Sequence, residues 1–365
     1  MSESTKVRAI AFYLPQYHPI PENDEWWGKG FTEWTNVTKA KPLFKGHHQP
    51  HLPADLGFYD LRLPEARQAQ ADLARQHGIH GFCYYHYWFN GKRLLERPFN
   101  EVIESSQPDF PFCLAWGNQT WSGIWHGLQD KILVEQTYPG KEDYEAHFHS
   151  LIKAFTDPRY IKIDDKPVFL IYRPQELPNT LEFTDYWREL SLKVGLKGMY
   201  FIAIVNPYSW DGELNGFDGV TSHPPFDILS QVPPTVLDRI ARKIFRKNYR
   251  EFLQEYFSIP SIYKYSEFVQ YAKDYRISRD GFFPCICPNW DNTPRSGING
   301  KVIQNSTPEL FRIHLRDAIE SVSQRNNKER FIFIKSWNEW AEGNYLEPDQ
   351  KFGTSYLKVL KDEIF

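Results

Sequence analysis

The chain has 365 residues, and its 43 Lys and Arg against 46 Asp and Glu give a formal net charge of −3. This balance excludes electrostatic binding of nucleic acid as the main function, because such binding needs a clear basic excess. Hydrophobic residues at 41% and charged residues at 24% are typical of a folded globular protein. No apolar run approaches the roughly 18 residues of a membrane span, so we expect no membrane insertion.

The first residues of the chain and its cysteines bear on the compartment. No apolar stretch followed by a small-residue cleavage site is visible there, so we expect no secretory signal and a cytoplasmic protein. Four cysteines in a chain of this length do not indicate a disulfide scaffold. His47, His48 and His51 are closely spaced, but a proline interrupts them and no HExxH motif is present. We therefore predict no metal and no other cofactor.

Short apolar runs rich in β-branched and aromatic residues recur along the chain. Most are continuously hydrophobic, which is typical of strands buried on both faces of a parallel sheet. The eight runs are Val7–Leu14, Gly81–Phe89, Phe112–Trp116, Pro167–Arg173, Tyr200–Asn206, Gly219–Ser222, Phe282–Cys287 and Phe331–Trp337.

Helical patterns separate these runs, and they are Pro64–His77, Leu94–Ser106, Glu142–Phe155, Leu181–Val194, Glu267–Tyr275 and Pro308–Gln324. The alternation predicts an α/β protein, and eight strands predict a (β/α)8 TIM barrel. We expect one domain over residues 1–365 with long βα loops, because no linker divides the chain. A doubly wound sheet is the alternative.

Three segments do not follow this alternation of strands and helices. Pro15–Leu63 and Asn289–Ser306 are long connections that follow strands, and loops of this length in a compact domain are usually functional. Thr235–Phe257 has a helical pattern and many basic residues. We interpret it as a solvated helix face, with a site for an anionic partner as the alternative.

Two glutamates at the end of the eighth run form the sharpest chemical feature. Glu339 and Glu342 lie three residues apart where the strand ends, a spacing that can bring both carboxyl groups to one side. An apolar wall and a like-charged neighbour can keep one carboxyl group protonated while the other stays ionised. Paired carboxyl groups of this kind perform glycosidic chemistry, so we predict both residues as catalytic. Two solvated carboxylates at the start of the last helix are the alternative.

Polar and aromatic residues at the other predicted strand ends are candidates for substrate binding. Catalytic groups of TIM barrels come from several strand ends, and aromatic rings with short polar groups suit a sugar. Two further candidates come from the first long loop, and three flank the glutamates at the end of the eighth run. The full set is Tyr13, Gln16, His18, Glu33, Trp34, Tyr85, His86, Trp88, Trp116, Asn118, Trp121, Asn206, Trp290, Asp291, Trp337, Asn338 and Trp340. The alternative for each is a rim residue with a local hydrogen bond.

Four stretches together resemble the WbsX-like domain family. They are AFYLPQYHPIPENDEWWGKGFTEWTNVTKAKPLFKGHHQPHLPADLGFYDLR, GFCYYHYWFNGKRLLERP, LAWGNQTW and IKSWNEWAEGNYLEPD. That family is similar to glycoside hydrolase family 99, the endo-α-mannosidases and endo-α-mannanases, which are (β/α)8 barrels. Its members often occur among genes for surface polysaccharide synthesis, which explains the early label of glycosyltransferase.

The resemblance implies a role for each glutamate. The Asn-Glu-Trp-x-Glu-Gly motif of family 99 matches Asn338–Gly343, with Ala341 where we expect His in the mannosidases. Glu339 is then the base that deprotonates the sugar 2-hydroxyl, and Glu342 is the general acid and later the base for water. The reaction passes through an epoxide-like anhydrosugar and retains the anomeric configuration.

We therefore expect a retaining glycoside hydrolase whose substrate is an α-linked bacterial polysaccharide or oligosaccharide. A glycosyltransferase of O-antigen or capsule assembly is the main alternative, although no diphosphate-binding motif is visible. A carbohydrate-binding module without catalysis is the third possibility. The sequence does not predict the oligomeric state.

Overall fold

The computed structural model describes residues 5–123, 131–205, 210–274, 281–326 and 328–365. Within them, eight parallel strands follow one another in chain order around a barrel. They are β1 Arg8–Tyr13, β2 Ile79–Phe89, β3 Phe112–Trp116, β4 Lys166–Ile171, β5 Tyr200–Ile204, β6 Gly219–Thr221, β7 in two pieces (Phe282–Phe283 and Cys285–Ile286), and β8 Phe331–Ile334.

The barrel closes through β7 and β8. The first piece of β7 pairs with β6 and the second with β8, so that nine strand segments make the eight positions of the barrel. Pro284 separates the two pieces, because proline has no N–H to donate to a sheet. Strand β8 pairs in parallel with β1, with Ala9 opposite Ile332. The predicted TIM barrel is confirmed, and the doubly wound alternative is wrong.

Helices surround the barrel and fill its loops. They are α1 Pro21–Trp27, α2 Glu33–Lys39, α3 Pro64–Gln76, α4 Arg97–Ser105, α5 Lys141–Phe155, α6 Thr180–Lys193, α7 Phe226–Ser230, α8 Val236–Phe245, α9 Tyr249–Phe257, α10 Tyr265–Asp274, α11 Thr293–Ser296, α12 Pro308–Val322 and α13 Ser355–Ile364. Pro64 begins α3 and Pro308 stands first in α12, where the missing N–H costs nothing.

Short strands and turns complete the loops. Three strands form a small sheet in the order Ser261–Lys264, Lys301–Gln304 and Trp290–Asp291. The other strands are Lys92–Leu94 beside β2, Lys162–Ile163 beside β4, Trp121–Ser122 with Ile132–Val134, and Asn338–Glu339 with Asn344–Tyr345. The 3-10 turns are Pro174–Glu176, Glu213–Asn215, Gly297–Asn299 and Trp340–Glu342.

Alternation along each strand divides the core into a barrel interior and a layer under the helices. On β1, the Phe12 ring stacks on Tyr85, with ring centroids 5.5 Å apart, inside the barrel. The next residue, Tyr13, points outward and donates a hydrogen bond to Gln70 of α3 (2.7 Å). Successive side chains of a strand face opposite sides, and this parity decides which residues reach the top of the barrel.

The basic segment predicted as one helix is two. Helix α8 ends at Phe245, and the next residue, Arg246, has a left-handed backbone (φ 58°). Asn248 caps α9 by accepting a hydrogen bond from the Glu251 N–H (2.9 Å). The two long loops also contain more regular structure than their composition predicts: α1 and α2 lie in the first, and α11 with two strands of the small sheet in the second.

Candidate active site

The loop after β8 carries the two predicted catalytic glutamates. Glu339 ends the short strand Asn338–Glu339, and Glu342 ends the 3-10 turn that follows it. Gly343 then takes a left-handed conformation (φ 55°) and lets the chain return as the partner strand. The hairpin therefore brings both carboxyl groups to one cleft at the carboxyl end of the barrel.

The cleft has a volume of about 110 Å³. Its lining residues come from the ends of several strands and from the long loops, as in other barrels with a site at this end. They are Leu14, Tyr85, Tyr87, Gly117, Gln119, Tyr172, Arg295, Lys335, Glu339 and Glu342. Among the predicted residues, the two glutamates and Tyr85 are in this set.

Asn338 fixes the hairpin to the first strand. Its side-chain oxygen accepts a hydrogen bond from the Leu14 N–H (2.8 Å), and its amide donates to the Leu14 carbonyl (3.1 Å). The Tyr17 hydroxyl donates to the Asn338 carbonyl. Asn338 is fully buried, so this predicted binding residue lies beneath the hairpin and does not line the cleft.

Two cations hold Glu342. The Arg295 guanidinium contacts Glu342 through Nη1 and Glu33 through Nε, each at 2.7 Å. The Lys335 ammonium lies 3.9 Å from the other Glu342 oxygen and 3.0 Å from His223 Nε2. Glu33 is almost fully buried, so Arg295 compensates a carboxylate that has little contact with water.

These neighbours shift the pKa values of the two glutamates in opposite directions. Burial raises the pKa of Glu339 well above its usual range, and the adjacent Glu342 charge adds to this. Burial acts in the same direction on Glu342, but the charges of Arg295 and Lys335 outweigh it and lower its pKa. The two carboxyl groups also act on each other, and the opposite pKa shifts favour a protonated Glu339 beside an ionised Glu342 in the free protein.

A buried aromatic layer supports the hairpin. The Trp340 ring stacks on Tyr345 with centroids 3.8 Å apart, and its N–H donates to Glu347 (2.6 Å). Trp34 packs against Trp340 and donates to the Tyr59 carbonyl (2.8 Å). Trp337 is also buried, against Phe82. The three predicted tryptophans thus support the site from below and do not line the cleft.

Because side chains alternate along a strand, three further predicted residues face the helices outside the barrel. His86 shares a hydrogen bond with His147 of α5 (2.8 Å), and Trp88 donates to Asp143 of the same helix (2.9 Å). Trp116 packs against His147 and is fully buried. These side chains do not reach the cleft, whereas Tyr85, on the opposite face of β2, does.

Other predicted residues hold loops in place. The Gln16 carbonyl accepts from the Glu33 N–H at the start of α2 (3.0 Å), and His18 Nδ1 bonds to the Pro15 carbonyl (2.9 Å). Asn118 accepts from the Arg173 N–H (2.8 Å), which joins the ends of β3 and β4.

Three more predicted residues lie next to the cleft without lining it. Trp121 packs on Tyr87, and the Trp290 ring lies under the Lys335 ammonium, 4.9 Å from its centroid. Asp291 accepts from His47 (2.7 Å). Asn206 lies outside the described residues.

Several lining residues were missed. Lys335 directly follows β8, three residues before the motif Asn338–Gly343. Arg295 lies in the second long loop, whose length predicts a functional role. Tyr87 could have been predicted from Tyr85, because residues two apart along a strand face the same side. Within the described ranges, no cluster of His, Cys, Asp and Glu has the geometry of a metal site. No helix in these ranges is both long and apolar enough to cross a bilayer.

Comparison with solved structures supports the barrel fold, and the similar structures include glycoside hydrolases. A glycoside hydrolase-like protein superposes with a TM-score of 0.60 at 14% identity, covering 100% of this chain and 95% of the other. The family GH99 endo-α-mannosidase from Bacteroides thetaiotaomicron, in complex with bis-tris propane, gives a TM-score of 0.58 at 16% identity, covering 99% and 97%.

Sequence comparison identifies the family. The profile of the family described as Glycosyltransferase WbsX matches residues 9–360, and the chain belongs to this family. An uncharacterized protein WxcX of Xanthomonas campestris pv. campestris (strain B100) is 34% identical over 365 residues. WxcX of strain ATCC 33913 of the same pathovar is 35% identical over 370 residues. Each alignment covers the whole of this chain and 50% of the relative.

Proposed function

We propose that the protein is a retaining glycoside hydrolase that cleaves an α-linked bacterial polysaccharide or oligosaccharide. The observation that carries the proposal is the placement of Glu339 and Glu342 in one cleft at the carboxyl end of a barrel. Their pKa values are shifted in opposite directions, so the pair can supply one general acid and one base at the same time. Tyr85, Tyr87 and Tyr172 supply aromatic surface for a sugar.

Both carboxyl groups line one small cleft and interact strongly with each other, an arrangement that suits participation of the sugar 2-hydroxyl. The 2-hydroxyl and the glycosidic oxygen lie on adjacent carbons, so two neighbouring carboxyl groups can act on one each.

The reaction then runs in two steps. Glu339 takes the proton of the 2-hydroxyl, O2 attacks C1, the bond from C1 to the leaving oxygen breaks, and Glu342 protonates that oxygen. Glu342 next deprotonates a water that attacks C1, the bond from C1 to O2 breaks, and Glu339 returns the proton to O2. Two inversions at C1 retain the configuration.

These roles require a proton on Glu342 when the reaction starts, whereas the pKa shifts in the free protein favour Glu339 as the protonated group. We propose that substrate binding transfers the proton from Glu339 to Glu342. A 2-hydroxyl that donates to Glu339 stabilises its ionised form, and a glycosidic oxygen that accepts from Glu342 stabilises its protonated form. Arg295 keeps its second carboxylate partner, Glu33, throughout.

Leaving-group dependence tests the roles. We expect Glu342→Gln to lose far more kcat/KM on a natural glycoside than on an aryl glycoside with an activated leaving group, because the latter needs little acid assistance. Glu339→Gln, the matched control, should lose activity on both substrates. The opposite pattern would assign the acid to Glu339. Substrates that lack the 2-hydroxyl should bind without turnover, and normal turnover would contradict its participation.

The family description supports a second candidate, a glycosyltransferase. A transferase built on this cleft would consume an activated sugar donor and leave the glycan acceptor longer. A hydrolase shortens the glycan in water alone. Product analysis with and without nucleotide-sugar donors therefore separates the two candidates.

A further inference from the structure

Helix α8 exposes an apolar face that no other described part of the chain covers. Val236, Leu237, Ile240 and Ile244 share one side of the helix, and each is between 50% and 64% exposed. The side chains that α8 buries are Asp238 and Ala241. A surface helix of a globular protein normally turns its apolar side inward, so this orientation needs a partner outside the described chain.

Helix α9 extends the same surface with aromatic rings. The Phe252 ring of α9 stacks on Phe245 of α8, with centroids 4.3 Å apart. Beyond this contact, Tyr256 and Phe257 are both more than 60% exposed. We call the exposed apolar residues of the two helices the α8–α9 surface, and they are Val236, Leu237, Ile240, Ile244, Phe245, Tyr256 and Phe257.

Basic side chains border the α8–α9 surface. Arg239, Arg242, Lys243 and Arg246 are all exposed. The segment Thr235–Phe257 carries six basic and three acidic residues, so it has a net charge of +3 in a chain whose total is −3. The charge of this element is therefore opposite to that of the rest of the protein.

Helix α9 is fixed to two loop elements of the protein. Arg250 donates to the Ile262 carbonyl of the small sheet (3.0 Å), and Gln254 donates to Asn299 (2.7 Å). Asn299 lies four residues after Arg295, in the same loop. The helix pair is thus held in place by the small sheet and by the loop that carries Arg295.

We propose that the α8–α9 surface binds the surface of an anionic phospholipid bilayer. An amphipathic helix with a basic border and exposed Ile, Leu and Phe lies in the plane of a membrane interface, with its apolar side among the acyl chains and its cations at the headgroups. A second copy on the same face is disfavoured, because two-fold symmetry would bring the four cations of each copy together.

Vesicle flotation with the full chain tests the proposal. The probes are vesicles of phosphatidylcholine alone and of phosphatidylcholine with phosphatidylglycerol. We expect binding to the anionic vesicles, weakened by salt. Removal of one basic side chain should weaken binding about fivefold, and Ile240→Asp with Ile244→Asp should abolish it. Leu192→Asp, at an exposed leucine on α6, is the matched control and should bind like the wild type.

Three outcomes would overturn the proposal that the α8–α9 surface binds an anionic bilayer. Equal binding to both vesicles would show that the basic border has no role, and no binding to either would exclude the membrane as the partner. A concentration-dependent dimer that the Ile240→Asp and Ile244→Asp substitutions dissociate would assign the surface to a second copy. Binding does not depend on the proposed function, since Glu342→Gln should float with the anionic vesicles as the wild type does.

Discussion

Gly343 packs the hairpin of Glu339 and Glu342 against the loop after β7, and its substitution by alanine should affect both stability and activity. A Cβ at this position would lie 2.7 Å from the Asp291 backbone nitrogen and 3.0 Å from its carbonyl oxygen. Backbone atoms cannot rotate away as a flexible side chain can, so the two loops must separate. Glu342 precedes Gly343 directly, and Arg295 lies four residues after Asp291. Separation of the two loops therefore loosens the ion pair between Glu342 and Arg295.

Gly353→Ala is the control that separates the effect of crowding around the new Cβ from the effect of the left-handed backbone conformation. Gly353 has nearly the same left-handed φ, 52° against 55°, but a Cβ there meets nothing within 4 Å. Both variants lose about 1–2 kcal/mol from the left-handed conformation. Gly343→Ala should lose about 1–3 kcal/mol more, which is typical of an overpacked site.

Urea denaturation of the two glycine variants gives the difference in the free energy of unfolding, and kcat/KM on a cleaved glycan gives the effect on the site. We expect Gly343→Ala to lose most of its activity and Gly353→Ala to keep it. Equal destabilisation of the two variants, with equal activity, would refute the packing argument.

Two further predictions concern the cations of the site. Lys335→Met removes a charge that lowers the pKa of Glu342, so the acidic limb of the kcat/KM profile should move to higher pH; an unchanged limb would contradict the role of Lys335. Arg295→Gln should destabilise the protein by about 3–5 kcal/mol at neutral pH, because it leaves Glu33 and Glu342 buried without their guanidinium. This loss of stability should shrink as pH falls through the ordinary titration range of glutamate, because the variant then protonates both carboxylates. The exposed Arg62→Gln is the control and should cost at most about 1 kcal/mol. A loss in Arg295→Gln that is independent of pH, or no larger than that of the control, would refute the role of Arg295.

Much of the barrel was predictable from local hydrophobicity. The strand Phe112–Trp116 matches its prediction at both ends, because every residue in it is buried and Pro111 and Gly117 flank it. The break in β7 was visible as Pro284, but a single proline does not show that the two pieces pair with different neighbours. The division between α8 and α9 was not predictable, since Arg246 takes a left-handed conformation usually reserved for glycine.

The site was predictable in its motif and less so in its surroundings. The glutamate pair follows a strand, and this local pattern placed it at the correct end of the barrel. Tyr85 reaches the cleft while His86 and Trp88 face helix α5, and the alternation of a strand separates them. Arg295 comes from a distant loop, and its approach depends on tertiary packing that no local pattern encodes.

The most direct test of the central claim follows the anomeric protons by NMR while the protein acts on a panel of α-linked oligosaccharides from bacterial surface polysaccharides. We predict hydrolysis without any nucleotide-sugar donor, with the α-anomer as the first product, and no hydrolysis by the variant that carries both Glu339→Gln and Glu342→Gln. A glycan that stays intact while a nucleotide-sugar donor is consumed, a β-anomer formed first, or full activity in the double variant would contradict the account.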